Sequence, residues 1–533
     1  MKEIKNLVEK ADLERLRSLS QTYLTNAFYH MRFSLGNDCG IHGSCPSEML
    51  HAFLLGTFKY LRDILFEQIG PDSEGARLVN ALSKIYSKHF GRQSDRTMPG
   101  TGFTKGINVG KLMGKDYRGV LLVMLAIFRS KKGSSVMKAY QNFRHEGAIE
   151  DWILLLELML EWESYLNEPL MYKKHVKRLE KKHRFIMYIM RKVANRTKGM
   201  GLKLAKFHMI LHIWEDILQF GVPLEYDTSP NESMHKPSKK ASKMTQRAAD
   251  TFNYQTASRL IEFELLDLAM EEIENGLVPW EYFTREEANT GQDNQNPVQE
   301  YGIHTGEAGI QVFWDENGES SYQLLSRSRF SSKTRWNTEV IDFLLTVQDM
   351  VYEHIPTDYL QIRTCHYRNG QTFRGHPNFR GKGVWRDWVW VDWGAYGHLP
   401  SHIWCFVVLE GLPKSRHGLE HGGIPLKNGV FAVVETATME ENACSSSELM
   451  SALRKEVELD DQGMATGRTF YLADTEAFLD PACVIPDIGG PPDQYFVVKP
   501  RNQWANLFVE WIEEPHTLDE MDDISVKPAS GNV

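Results

Sequence analysis

Apolar positions recur at helical spacing through the first half of the chain and in short aromatic and β-branched runs through the second. Leu7, Leu13, Leu16, Leu19 and Tyr23 mark a helix within residues 1–33. After a glycine-rich break, Pro46 and Ser47 are good helix starters, and Met49, Leu50, Phe53, Leu54, Phe58 and Leu61 predict one buried face. Further helices are expected over 76–95, 117–130 and 149–166. The last two are strongly apolar, with Trp152, Leu154, Leu155, Leu158, Leu160 and Trp162, and are expected at the centre of a helical domain. Another helix is expected over 170–196. The stretch Lys206–Glu264 then reads as a helix carrying His208 and His212, a turn at Gly221 and Pro223, a lysine-studded segment and a second amphipathic helix ending near Gly276.

From about 310 the period changes. Val384–Trp393, Ile403–Leu409, Val430–Glu435 and Tyr495–Lys499 read as strands between Gly and Pro, with helices expected over Thr338–Val351 and Ser446–Val457. The pattern predicts a multi-domain chain, α then β. Its parts are a helical region over 1–200, a helical segment over 201–280, a linker over 281–310, a mainly β domain over 311–515 (a small barrel or sandwich) and an acidic, disordered tail over 516–533.

Composition changes this picture little. The 533 residues are 42% hydrophobic, enough for ordinary packed cores. No apolar run is long enough to span a bilayer, and Met1-Lys-Glu-Ile-Lys5 lacks the apolar core of a signal peptide, so a soluble intracellular protein without a membrane partner is expected. Six scattered cysteines fit a reducing compartment. The formal net charge of −9 argues against a nucleic-acid partner, but the average hides a pattern. Between Leu170 and Lys206 stand thirteen Lys/Arg and one acid, Glu180, whereas acids gather at Asp267–Glu287 and Glu513–Asp523. Such segregation can present a cationic face on an acidic protein.

Several constellations could carry chemistry. Cys39, His42, Cys45 and His51 are four soft ligands close in sequence, a set that zinc can take, although their spacing matches no standard finger. His208 and His212 share a helix face with Asp216 one turn on. Met209 stands where a metalloprotease needs Glu, which excludes that class; hydrogen-bonded anchoring of the helix is the simpler role. The Gly106–Lys115 segment is one residue short of a phosphate-binding loop, and Leu112 follows Lys111 where Ser or Thr is needed. Glu232 sits near a helix start, where the dipole favours a carboxylate, and His235, Lys236, Lys239, Lys240, Lys243 and Arg247 follow it. An acid beside a cationic strip suits metal-assisted phosphoryl transfer on nucleic acid, although one carboxylate does not make a two-metal site. Lys173, Lys174, Lys177, Arg178, Lys181 and Lys182 form either a solvated helix face or a phosphate-contacting one. Tryptophans 385, 388, 390, 393 and 404 either pack the strands or line an aromatic pocket.

Three of these blocks, in order, carry a family resemblance. They are Gly40-Ile-His42 with Pro46-Ser-Glu-Met-Leu-His51 running on to Gly56-Thr-Phe-Lys-Tyr-Leu61, then Phe103-Thr-Lys-Gly-Ile-Asn108 with Met113-Gly-Lys-Asp-Tyr117, then Lys206-Phe-His-Met-Ile-Leu-His212 with Asp227–Lys236, Gln255 and Arg259. Together they resemble the Plavaka/Kyakuja-Dileera-Zisupton transposases, relatives of the CACTA type, over roughly residues 35–265. A weaker likeness covers Phe373–Gly381 and Trp385–Trp388.

The resemblance implies an RNase H-like DDE core with a helical insertion, DNA transposition in the nucleus, double-stranded DNA as partner and Mg²⁺ or Mn²⁺ as cofactor. It makes Glu232 the third metal-binding acid and Glu48 with His51 the acid-x-x-His signature pair. The departures matter. Glu48 stands where the family usually has Asp or Cys, Ser229 replaces one acid, and the 47 residues before Glu48 read as helix without strand-borne aspartates. The expectation is therefore an N-terminally truncated, transposase-derived DNA-binding protein without a complete triad. The alternative is a non-catalytic protein- or chromatin-interaction protein using the tryptophan-rich β domain. A homo-oligomer or a chromatin partner fits either reading.

Overall fold

The structure, a computed structural model, describes residues 46–93, 97–108, 112–195, 201–202, 204–246, 248–274, 310–314, 320–324, 338–352, 360–377, 379, 383–410, 412, 420–421, 424–440, 449–459 and 465–514. The helix expected within 1–33, the positions Cys39, His42 and Cys45, the linker over 281–308 and the tail over 516–533 lie outside the described residues.

A π-helix over Leu50–Phe58 runs directly into α1 (Lys59–Ile69). Then come α2 (Glu74–Phe90), α3 (Asp116–Arg129), α4 (Lys131–Lys138), α5 (Ala148–Leu166) and α6 (Lys173–Val193). They are followed by α7 (Ala205–Ile210), α8 (Ile213–Phe220), α9 (Ser229–Lys243) and α10 (Phe252–Glu274). Local chemistry explains the boundaries of α2. The Ser73 hydroxyl accepts from Ala76 N at 3.0 Å, Glu74 lies in the first turn, and Lys88 lies in the last, both charges complementing the helix dipole.

Helix α3 is buried along Val120–Phe128, as befits a helix apolar on every side. Two ion pairs tie it to α5: Arg129 Nη2 to Glu157 Oε1 at 3.0 Å, both nearly enclosed, and Arg118 Nε to Glu163 Oε1 at 2.5 Å. Trp152 stacks on Phe128 with centroids 5.3 Å apart. The expected helical centre is therefore present. By contrast α10 leaves Tyr254, Ile261, Leu265, Leu266, Leu268 and Met270 exposed.

The second half is a sheet region, with α11 (Thr338–Tyr352) before it and α12 (Arg501–Glu513) after it. Its strands are β1 (Ile310–Trp314), β2 (Ser320–Leu324), β3 (Leu360–Arg363), β4 (Cys365–Arg368), β5 (Gln371–His376), β6 (Trp385–Arg386), β7 (Trp388–Asp392), β8 (His398–Leu409) and β9 (Glu420–His421). The rest are β10 (Ile424–Pro425), β11 (Gly429–Met439), β12 (Met450–Lys455), β13 (Val457–Leu459), β14 (Ala465–Arg468), β15 (Tyr471–Asp474), β16 (Phe478–Pro486) and β17 (Gln494–Val498). The ten-stranded main sheet runs β1-β2-β3-β8-β7-β16-β17-β12-β11-β15, and β8 also pairs with β11. That extra ladder brings the pairings β8–β7–β16–β17–β12–β11 back to β8, so six antiparallel strands form a closed ring. Closure removes exposed edges from those strands.

Two expectations need correction. Within the helix expected over Ser446–Val457, the described residues 449–457 are not helical. Met450–Lys455 is β12, pairing with Gln494–Val498 on one edge and Ala437–Met439 on the other. Its Met, Ala, Leu, Arg and Lys favour helix locally, but two neighbouring ladders and burial of both faces outweigh propensities of less than about 1 kcal/mol per residue. The chain also ends its described part in a helix, α12, where a β region was expected through residue 515. Trp504, Leu507, Phe508 and Ile512 already mark its buried face at helical spacing.

Helices and sheet share a core. Along β12, β16 and β17, Met450, Ala452, Cys483, Ile485, Phe496 and Val498 pack with residues of α2, α3, α5 and α12. The alternate residues Leu453, Ala482, Val484 and Val497 pack inside the ring with Trp388 and Ala437. The period-2 alternation of a strand thus serves two cores at once. Trp162 of α5 stacks on Phe508 of α12, Tyr86 Oη donates to Pro486 O at 3.2 Å, and Lys131 N donates to Asp487 Oδ1 at 2.7 Å. No described helix is long and apolar enough to cross a membrane.

Candidate nucleic-acid interface and the acid-x-x-His element

Glu48 caps its own helix, accepting from Leu50 N and His51 N at 2.7 Å each, and its Oε1 also contacts His51 Nδ1. The helix it starts is wound as a π-helix. Thr57 Oγ1 donates to Ala52 O at 3.2 Å, and a Cβ on Gly56 would lie 2.6 Å from His51 O, so glycine is required for the backbone to approach this closely.

This element packs on the residues that the sequence places some 150 positions later. Ser47 N donates to Asp216 Oδ2 at 2.8 Å, Ser47 Oγ donates to Met209 O at 3.2 Å, and Lys206 Nζ donates to Leu55 O at 3.1 Å. Burial pulls the Lys206 ammonium below its usual range, with Lys59 adding to that and Glu48 opposing it. The first and third resemblance blocks are therefore neighbours in space.

The expected single helix through His208, His212 and Asp216 breaks at Leu211–His212 into α7 and α8. Both histidines are exposed, with rings 4.8 Å apart, and His212 Nδ1 lies 3.0 Å from Glu215 Oε2. Asp216 serves the Ser47 backbone instead. Glu232 falls in the first turn of α9, with its carboxylate outside the described atoms. Among the described residues, no three His, Cys, Asp or Glu side chains stand together as a metal-binding group. Of the proposed zinc ligands only His51 is described.

The basic helix α6 divides into two stripes. Lys174, His175 and Arg178 converge on Glu513 of α12 at 2.9, 3.0 and 3.6 Å. Lys182 Nζ donates to Trp511 O at 2.6 Å and sits 4.4 Å from the Trp511 ring centroid. Burial brings Lys182 down to about 8 against the pull of Glu514, while hydrogen bonds from Lys174 and His175 hold the Glu513 carboxyl below its usual range. This stripe fastens α12. The other stripe faces solvent: Lys173, Lys177, Lys181 and Arg191 are exposed, without an ion pair among the described residues, and Arg184 pairs with Glu180 at 3.7 Å. Lys236, Lys239, Lys240 and Lys243 are exposed on α9, with Lys240 4.8 Å from the Phe263 ring centroid.

The five tryptophans do not line one pocket. Trp385 donates Nε1 to Asp387 Oδ1 at 2.8 Å and packs on Phe379; Trp393 packs on Tyr471; Trp390 adjoins the ring interior. Trp388 and Trp404 meet a group that sequence reading missed. Trp388, His402 and Glu435 lie directly opposite one another on β7, β8 and β11. Glu435 Oε2 accepts from Lys455 Nζ at 2.6 Å and from Trp404 Nε1 at 2.7 Å, and Lys455 Nζ lies 2.9 Å from His402 Nδ1. Burial would raise the Glu435 carboxyl, but its contacts with His402 and Lys455 outweigh that and hold it well below the usual carboxylate range. Burial, reinforced by Lys455, pushes His402 down to about 3, so it is neutral at pH 7. The signal available in the sequence was charge at inward positions of apolar strands, namely Glu435 after Val433-Val434 and Lys455 after Leu453.

Compared with protein-family models, with curated proteins and with solved structures, the chain matches none.

Proposed function

We propose that this chain is a transposase-derived protein that binds double-stranded DNA in the nucleus and does not by itself carry out strand transfer. The observation that carries the proposal is the outward row Lys173, Lys177, Lys181 and Arg191 on α6, which holds its charge in solvent rather than spending it on the fold. Spacings of four, four and ten place these cations along one side of a helix spanning about 27 Å, a length over which several phosphates can be met. The contact between the acid-x-x-His element and α7–α8 adds support, since it joins segments that the resemblance treats as parts of one site. The closed strand ring is read as the small barrel of this architecture. A Mg²⁺ or Mn²⁺ ion would need acids beyond Glu232, so no catalytic step is assigned. The alternative role, with tryptophans 385, 388, 390, 393 and 404 as a recognition pocket, has less support because those rings are engaged within the fold.

The test is duplex binding by the full chain as a function of salt. Affinity is expected to fall steeply with salt, and Lys173→Gln, Lys177→Gln, Lys181→Gln and Arg191→Gln together are expected to flatten the slope of log K against log salt by about 0.9 for each phosphate that is no longer neutralised. Absence of binding at low salt refutes the proposal, as does an unchanged slope in the quadruple variant. Mg²⁺-dependent cleavage abolished by Glu232→Ala would refute the non-catalytic part.

A further inference from the structure

The strand ring beside α11 holds more positive than negative charge. Lys455 rests between the rings of Trp388 and Tyr495, 5.0 Å from each centroid, with its ammonium on Glu435. The Arg386 guanidinium lies over the face of Trp404, 3.2 Å from the centroid, and Arg468 approaches the same ring at 5.0 Å. Arg468 Nη1 is 3.8 Å from Glu435 Oε1, and its Nε is 3.2 Å from Glu339 of α11 at the solvent side. Three cations thus surround one enclosed carboxylate, with Glu339 at the rim and His402 neutral.

The cations register this crowding. Burial brings Lys455 down to about 8 in spite of Glu435, with Arg468 and Arg386 adding to the effect. Burial likewise brings Arg386 down to about 10, with Glu435 opposing and Arg468 adding. Arg386 Nε is enclosed and has no hydrogen-bond acceptor, and its guanidinium makes no ion pair among the described residues. A buried guanidinium with a donor that meets no acceptor is costly, and a fork of N–H groups is matched best by an oxyanion.

We propose that Arg386, Arg468 and Lys455 form a seat for a phosphate group, either inorganic phosphate or a small phosphate monoester, at the Trp404 end of the strand ring. Two guanidinium groups and an ammonium suit a tetrahedral, multiply charged oxyanion better than a planar monoanion. Against Glu435 and the rim Glu339 the three cations leave one positive charge in excess, which a phosphate anion would offset, and further room for its charge opens if Arg468 leaves Glu339. Arg386 already covers the Trp404 face, so the recognised group is the phosphate itself and not a base stacked on tryptophan. Arg468, with its side chain 41% exposed, gives the entry from solvent, where Glu339 competes for it. This seat is separate from the α6 row and does not depend on DNA binding.

The experiment titrates the full chain with inorganic phosphate, and separately with glycerol phosphate, against acetate at matched ionic strength. Tryptophan fluorescence and the thermal midpoint are followed. A saturable response to either phosphate is expected, and comparing the two identifies whether the free ion or a monoester is preferred. Arg468→Gln, at a half-exposed position that tolerates change, is expected to weaken binding at least tenfold. Arg386→Gln is expected to abolish it, and Lys177→Gln with Lys181→Gln to leave it unchanged. No saturable response, an equal response to acetate, full retention in Arg468→Gln, or loss in the α6 variant would each overturn the assignment.

Discussion

Among the described residues Glu435 is the enclosed carboxylate that faces Lys455 and Arg386, whereas Arg468 also meets Glu339 at the rim, and that imbalance makes an asymmetric prediction. Its side chain is 3% exposed and that of Lys455 is 7% exposed, so water replaces neither partner's contacts. Glu435→Gln keeps the shape but leaves Lys455 and Arg386 without an enclosed anion and Arg468 with Glu339 alone. Breaking a buried pair in this way costs about 3–5 kcal/mol, because an uncompensated charge stays inside. Lys455→Met leaves Glu435 with the Trp404 Nε1 hydrogen bond at 2.7 Å and with Arg468 at 3.8 Å, so its cost is expected nearer 1–3 kcal/mol, that of removing one charged hydrogen bond. The double variant should cost less than the sum of the two, the mark of direct coupling. The assay is equilibrium unfolding in urea followed by tryptophan fluorescence, in phosphate-free buffer at pH 7. The sign against pH follows from the depressed Glu435 carboxyl. Its contribution is present above the unfolded value of about 4.3 and is lost as pH falls towards the folded one. Glu435→Gln should flatten that acid limb. If Glu435→Gln costs under about 1 kcal/mol, or less than Lys455→Met, the cation-excess reading is wrong.

Two largely enclosed histidines should give a second, higher acid limb. Burial pushes His183 down to about 4 and His402 down to about 3, so the unfolded chain takes up protons first, and stability should fall as pH drops from about 6.5 towards those values. Unfolding midpoints between pH 7 and 4.5 that show no decline would contradict this. A Cβ on Gly375 would lie 2.6 Å from the carbonyl carbon of Trp404, which is backbone and cannot rotate away. Gly375→Ala should therefore cost about 3 kcal/mol, and a thermal midpoint equal to wild type would show that the strands yield. Trp162→Ala removes a fully buried ring that stacks on Phe508 and meets Phe53 edge-on. A loss of about 3–5 kcal/mol is expected in calorimetry, together with faster amide exchange in α12 if that helix is held from here.

Periodicity by itself determined much of the framework. Runs such as Val120–Phe128 and Trp152–Leu166 had to be buried, because so apolar a surface is costly in water, and the length of the segments around them favoured helix. The change to short Val-, Trp- and Phe-rich runs likewise announced the sheet region, with β8, β11 and β17 falling on expected runs. What depended on long-range contact was not legible. The residues of β12 favour helix until two partner strands fix them as a strand. The lysines of α6 look equivalent along the sequence until Glu513 and Trp511 of α12 engage one stripe and leave the other in solvent. The acid-x-x-His element meets Asp216 and Lys206 only once the chain has folded back on itself. Glu435 and Lys455, twenty residues apart, become a buried pair because the ladders of β11 with β8 and β12 bring them to one inward face. Local sequence fixes which groups exist and which way they alternate. Which of them meet is decided by strand pairing and ring closure, where the free energy of burial is collected over many residues at once.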